Sequence, residues 1–221
     1  MRKRTIKKFL LGTTIITNLC AINAYAVGPG MYMGLMFGPA TNDGSEQSAQ
    51  VLNSPTTVQV TPKSNQFASR VFAGYQMNKY VAVETGITYI PSINFTAKND
   101  VETCGSTSMR VRDIEFLGKG IIPFGNYFDV FGKAGVAYVY QSTGGALNPD
   151  LSEDCGKTKY TSKFAPAISI GASYNLSQSW VADVSVNRIM VGGILKNITT
   201  LAIGISYHIV DRYCGQFLCD D

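Results

Sequence analysis

His208 is the only histidine of the chain, and Ser206 lies two positions before it, the spacing that puts two side chains on one face of a β-strand. A serine beside a histidine supplies a nucleophile and a general base. No partner acid and no oxyanion motif accompany them, so a histidine lining an interior or an interface explains His208 without catalysis. Cysteines form the second reactive set. Cys104, Cys155, Cys214 and Cys219 remain once Cys20, inside an apolar N-terminal run, is set aside. They contain no paired C-x-x-C motifs, and His208 is remote in sequence from the first two, so disulfides are favoured over zinc. The third set is ionisable: Arg70, Glu84, Asp113, Glu115, Lys119, Asp129, Lys133 and Asp183, each on a face otherwise rich in Gly, Ala and Ser. Neither a phosphate-cradling glycine loop nor a calcium loop is present, and no cofactor is implied.

The elements that must position these groups are strands. From Ser108 to Thr143, apolar residues alternate with polar or small ones along two arms separated by a Gly125-Asn126 turn, the pattern of a β-hairpin. One face carries Asp113, Glu115, Leu117 and Lys119, then Asp129, Phe131, Lys133, Gly135 and Ala137. The other carries Ile114, Phe116, Ile122, Phe128, Val130, Val136 and Tyr138. Similar alternation predicts strands over 30–38, 67–76, 80–90, 164–174, 180–187 and 198–209, with Pro91 ending the third of the chain's strands. The polar stretches 41–63, 92–107 and 143–162 read as long surface loops, the first too hydrophilic to pack a core. Short turns fall at Asn78-Lys79, Gly125-Asn126 and 176–179.

The N-terminus reads as a secretory signal peptide over residues 1–26. Arg2, Lys3, Arg4, Lys7 and Lys8 precede an apolar run, and Ala24-Tyr25-Ala26 is an A-x-A cleavage site. Leu19 stands where a lipoprotein signal would have a small residue before Cys20. Beyond residue 26 the chain holds 14 basic and 15 acidic residues, a net charge of −1, which leaves no basic surface for nucleic acid. Export also places the cysteines in an oxidising compartment.

Eight strands whose connections alternate long and short have two different ends, as in an outer-membrane barrel with short periplasmic turns and long outer loops. About 9–11 tilted residues cross a bilayer, and the arms approach that length. Tyr75, Tyr80, Phe124, Tyr127, Phe128, Tyr174, Trp180 and Tyr207 all fall beside the short turns, as an interfacial aromatic girdle would. The soluble alternative, a lipocalin-like cup, would turn Lys- and Glu-rich faces to water; here those faces are mostly Gly, Ala and Ser. The expected organisation is a signal peptide at 1–26, an eight-stranded antiparallel up-and-down transmembrane β-barrel at 27–210 and a short periplasmic tail at 211–221. With this topology Cys104 and Cys155 lie outside and Cys214 and Cys219 in the periplasm, so the pairs Cys104–Cys155 and Cys214–Cys219 avoid crossing the membrane. The ionisable residues would fill the lumen: a turn about Gly125 makes Lys119–Asp129 and Glu115–Lys133 diagonal neighbours, and one about Asn78 does so for Arg70–Glu84. The triplets at Asn94, Asn175 and Asn197 match the glycosylation acceptor pattern by coincidence in a bacterial exported barrel.

The segments GMYMGLMFG, FLGKGIIPF followed by YFDVFGKAGVAY, SIGASYNL and LAIGISYHI resemble the eight-stranded outer-membrane barrels typified by the transmembrane domain of OmpA and the opacity-type surface proteins. The resemblance spans 30–209 and implies a bacterial outer-membrane location, contact with outer-membrane lipid, and a structural or adhesin-like role toward host or environmental surface ligands through loops 41–63, 92–107 and 143–162. A small channel is the alternative, and a lipid-modifying enzyme a weaker one. Such enzymes pair His with Ser at the outer leaflet, whereas His208 falls at the periplasmic end; no enzyme is expected. The sequence departs from OmpA in showing only 210–221 after the last strand, without a peptidoglycan-binding domain. It also does not stop at an aromatic residue there, so the assembly signal is expected to be internal, near Tyr207 to Ile209.

Overall fold

The computed structural model describes residues 29–51, 56–97, 107–147 and 157–210. The expected signal peptide 1–26, the tail 211–221 and Cys104, Cys155, Cys214 and Cys219 lie outside the described residues. Ten strands follow one another: β1 (Gly30–Asn42), β2 (Gln47–Gln50), β3 (Thr57–Pro62), β4 (Gln66–Asn78), β5 (Val81–Ala97), β6 (Ser108–Phe124), β7 (Phe128–Thr143), β8 (Lys159–Asn175), β9 (Trp180–Ile189) and β10 (Ile198–Val210). Short 3₁₀ turns at Gly145–Leu147 and Gly193–Leu195 lie in the β7–β8 and β9–β10 connections. Apart from β2 and β3, the strands form an antiparallel meander from β4 to β10, and β1 pairs on one side with β4 and on the other with β10. The sheet thus closes into an eight-stranded barrel with no free edge.

The period-2 pattern sets the two faces, and they are inverted relative to a water-soluble barrel. Along β1, Met31, Met33, Leu35 and Phe37 point outward and are 45–56% exposed, while Tyr32 and Met36 are buried inside. Arg70, Glu84, Asp113, Glu115, Lys133 and Asp183 also point inward and are buried. Apolar side chains cover the outside and ionic ones fill the centre, the arrangement a strand needs in a hydrocarbon solvent.

Three local expectations are corrected. Pro91 does not end its strand; β5 runs on to Ala97, because Pro91 falls at a register shift between Ile90 and Ile93, where a missing N–H breaks no ladder bond. Segment 41–63 is not simply a polar loop. Its β2 and β3 pair with each other and β3 pairs with the extension of β5, so Ala49 and Val60 are fully buried among otherwise polar neighbours. Finally, the central hairpin turns about Asn126, with Phe124 opposite Phe128. This shift places Lys119 opposite Lys133 and Glu115 opposite Ala137, so neither anticipated diagonal forms. The first short turn moves likewise and sets Arg70 opposite Thr88, although the long arginine side chain still reaches Glu84 as expected.

The interior is divided along the barrel axis. Toward the long connections lies an apolar cluster that includes Ile90, Ile93, Met109, Val111, Val139 and Leu195. Toward the short turns a second cluster joins Tyr32, Met36, Phe72, Ile121 and Phe131. Inward glycines make room for these rings: a Cβ on Gly74 would lie 2.4 Å from the Tyr32 ring, and one on Gly34 2.5 Å from Phe72.

Candidate functional site

The ionisable side chains interleave with the rings of the second apolar cluster, Arg70 and Lys133 lying over Phe72 and Lys119 and Lys133 over Phe131, and four of them form one connected unit. Arg70 on β4 extends past Gly86, whose missing Cβ would otherwise lie 2.8 Å from the guanidinium. It donates from Nη2 to Glu84 Oε1 at 2.9 Å and pairs with Glu115 Oε2 at 2.7 Å. Lys133 on β7 reaches Glu84 from the far side, with Nζ 2.7 Å from Oε1 and 2.9 Å from Oε2. Tyr32 on β1 donates its hydroxyl to Glu84 Oε2 at 3.1 Å. Glu84 therefore lies between two cations, and Arg70 between two carboxylates. Two positive and two negative charges alternate around a centre in which none of the four residues exceeds 4% exposure. Burying any of these ions alone would cost several kcal/mol, so the alternation is what lets all four enter a dry lumen.

The other four ionisable residues named from sequence are inward but outside this unit. Lys119 and Lys133 are directly opposed on one face, a repulsive placement. The Phe131 ring lies by both ammonium groups, 4.3 Å from Lys119 Nζ and 4.9 Å from Lys133 Nζ, and Tyr32 offers a second face to Lys119 at 5.5 Å. Ring quadrupoles thus replace carboxylates for Lys119. Asp129 is half-buried and accepts a hydrogen bond from Asn175 at 3.4 Å. Asp183 accepts one from Ser206 Oγ at 2.9 Å. Asp113 lies opposite Thr88 and, with Arg70, Glu115 and Asn187, lines a cavity of about 10 Å³, room for roughly one water.

Sequence reasoning placed Phe131 on the inner face but missed the part the inward rings play. Tyr32, Phe72 and Phe131 thread between the charges, and the one available signal was that each interrupts an otherwise small or polar face. His208 belongs to this ring set, stacked on Tyr32 with centroids 4.8 Å apart and planes 10° apart. Ser206 gives its hydroxyl to Asp183, and among the described residues no hydrogen bond joins Ser206 to His208. The nucleophile–base contact that acyl transfer requires is therefore not made.

On the outside, all eight aromatics named for a girdle are 39–60% exposed, at the short-turn end. They adjoin one another across strands: Trp180 packs on Tyr207 with centroids 5.0 Å apart, and Phe124 on Phe128 at 6.3 Å. A second aromatic set, not anticipated from sequence, circles the other end. It includes Phe37, Phe67, Tyr89, Tyr138, Tyr140 and Phe164, with Phe37 against Phe67 and Tyr138 against Phe164. Phe128 and Tyr138 are ten residues apart on β7. At about 3.3 Å per residue and a tilt near 40° the two belts stand about 25 Å apart, the height of an apolar band in an outer-membrane barrel.

Comparison with known proteins agrees with this geometry. Residues 29–212 match the OmpA-like transmembrane domain. An uncharacterized protein of Coxiella burnetii is 30% identical over 174 residues, covering 66% of this chain and 70% of that one. Among solved structures, Neisserial surface protein A (NspA) superposes with a TM-score of 0.55 at 13% identity, covering 81% of this chain and 97% of its own. The outer membrane protein OprG of Pseudomonas aeruginosa does so with a TM-score of 0.52 at 12% identity, covering 85% and 100%. The chain belongs to the OmpA-like transmembrane domain family, and its place is the bacterial outer membrane. In such barrels the short turns face the periplasm and the long connections the exterior.

Proposed function

We infer that this OmpA-like barrel is a non-conducting surface protein that acts through its outer loops. The observation that carries the reading is the closure of the lumen toward the exterior. Ile90, Ile93, Met109, Val111, Val139 and Leu195 are all buried above the ionic unit, so a hydrated ion leaving the charged zone would meet a packed apolar layer. Eight strands enclose an interior just wide enough for side chains, and here it is occupied along its length.

The same layer bears on the loops. β3 continues the sheet through β5, and β2 adds to β3, so part of the connection 41–63 is held as an ordered ribbon beyond the membrane strands. A preorganised ribbon loses less conformational entropy on meeting a partner than a free loop would. Segments 41–63, 92–107 and 143–162 are the surfaces on which a host or environmental ligand would dock. An enzymatic reading would need Ser206 and His208 to cooperate; instead Ser206 is engaged by Asp183 and His208 by Tyr32.

The test couples conductance to binding. In planar bilayers the refolded protein should show no steady single-channel current, and cells displaying it should lose surface attachment when the three loops are shortened while the barrel still assembles. A sustained conductance from the unaltered protein moves the assignment to a small channel. Attachment that survives loss of all three loops removes the adhesin-like role.

A further inference from the structure

We propose that the outward face of β6 near the exterior, built on Arg110 and Arg112, binds the phosphate groups of an outer-leaflet lipid headgroup. Both arginines are exposed and project from the barrel's outer surface. An arginine on that surface costs about 2–4 kcal/mol at the bilayer midplane and about 0–1 near the interface, so its height decides its meaning. Arg112 pairs across the ladder with Tyr140, twelve residues from Phe128 in the periplasmic belt. The rise and tilt used above put it about 30 Å from that belt, level with Tyr89 and Tyr140 at the outer edge of the upper aromatic set. That is headgroup level, where lipid phosphates lie.

The surroundings fit a phosphorylated amphiphile better than they fit water. The cross-strand row Tyr89, Arg112 and Tyr140 flanks the arginine with two aromatic residues, and its guanidinium lies over the Tyr89 ring at 5.2 Å. Cation–π contact holds the planar fork in one orientation and leaves its edge free for a bidentate anion. Arg110 stands two positions further outward on the same face. Phe164 and Tyr160 on β8, the strand beyond β7, are 74% and 80% exposed, the highest values among the exposed large apolar side chains of the described residues, and extend the apolar surface past Tyr140. Below them, Ile114 and Phe116 continue the same face into the hydrocarbon band, where an acyl chain would lie.

Neither arginine has a carboxylate partner among the described residues. The contrast is Arg188, the other outward-facing arginine of the described strands, whose Nη2 pairs with Asp43 at 3.3 Å. Two guanidinia with no carboxylate partner among the described residues, on one face, at phosphate height and above an apolar surface, make a site complementary to a phosphorylated lipid. A free phosphate would use the charges but not the aromatic and aliphatic surface below them.

The experiment uses the full barrel refolded into phosphatidylcholine nanodiscs doped with lipid A carrying both phosphates, or with the same lipid dephosphorylated. Lipid retained after extraction into detergent is quantified by mass spectrometry. The wild type should retain the phosphorylated lipid and not the dephosphorylated one, and an excess of inorganic phosphate should not displace it. R110Q/R112Q should weaken retention about thirtyfold, and R188Q should leave it unchanged. Heat-dependent gel mobility reports whether each variant is folded. Equal retention by wild type and a folded R110Q/R112Q overturns the site. So does equal retention of the two lipids by the wild type, a comparison that stands even if the double variant fails to fold. Displacement by inorganic phosphate would show a phosphate site without lipid selectivity and also overturns the proposal.

Discussion

Replacing Glu84 by alanine removes the one carboxylate that both Lys133 and Arg70 share. Arg70 keeps Glu115 at 2.7 Å. Lys133 keeps no carboxylate among the described residues, only the rings of Phe131 and Phe72 at 4.9 Å and 5.4 Å. Its side chain is 2% exposed, so water cannot replace the lost partner without opening the barrel. Stranding one buried charge costs about 3–5 kcal/mol, and the orphaned Tyr32 hydroxyl adds about 1 kcal/mol, giving roughly 4–6 kcal/mol. Urea unfolding in lipid vesicles measures this through Trp180, the single tryptophan, which sits in the periplasmic belt against Tyr207 and changes solvent when the barrel leaves the bilayer. Two comparisons isolate the cause. Asp129→Ala removes a half-buried carboxylate held by one long hydrogen bond at 3.4 Å and should cost under about 1 kcal/mol. Adding Lys133→Met to Glu84→Ala removes the stranded cation and should recover most of the loss, since Arg70 and Glu115 remain balanced. The reasoning fails if Glu84→Ala costs no more than Asp129→Ala, or if Lys133→Met gives no rescue.

Glycine substitutions should divide by face. Gly74→Ala drives a Cβ to 2.4 Å from the Tyr32 ring and should destabilise by about 1–3 kcal/mol, whereas Gly132→Ala, outward with its nearest atom 3.9 Å away, should be neutral or stabilise by up to about 1 kcal/mol; the same urea titration reads both. N-terminal sequencing of the exported protein should begin at Val27, and an N-terminus still at Met1 would refute the signal peptide. Non-reducing peptide mapping should recover Cys104 with Cys155 and Cys214 with Cys219, while a Cys104–Cys214 peptide would contradict the two-sided topology.

The barrel itself was legible because its determinants are local. A period of two assigns every side chain to a face, and alternating connection lengths assign each end, so the inward placement of Arg70, Glu84 and Lys133 follows from counting residues along each strand. The same logic located the lower aromatic belt, since each member adjoins a short turn. Partner choice inside the lumen was not local. Whether Lys119 meets Asp129 or Lys133 depends on a turn centred on Asn126 rather than Gly125, a small displacement that carries every pairing along the arm with it. Glu84 on β5 joins cations from the neighbouring β4 and from β7 beyond β6, and the second contact is possible because the curved sheet turns these side chains into one narrow lumen. The ribbon within 41–63 escaped notice for a related reason: its few apolar residues bury in a tertiary cluster that the extension of β5 past Pro91 helps to build, and that extension exists because a bulge absorbs the proline. Sequence periodicity thus determined which face each residue occupies, while closure and register, which couple distant strands through shared ladder bonds, decided which charges meet.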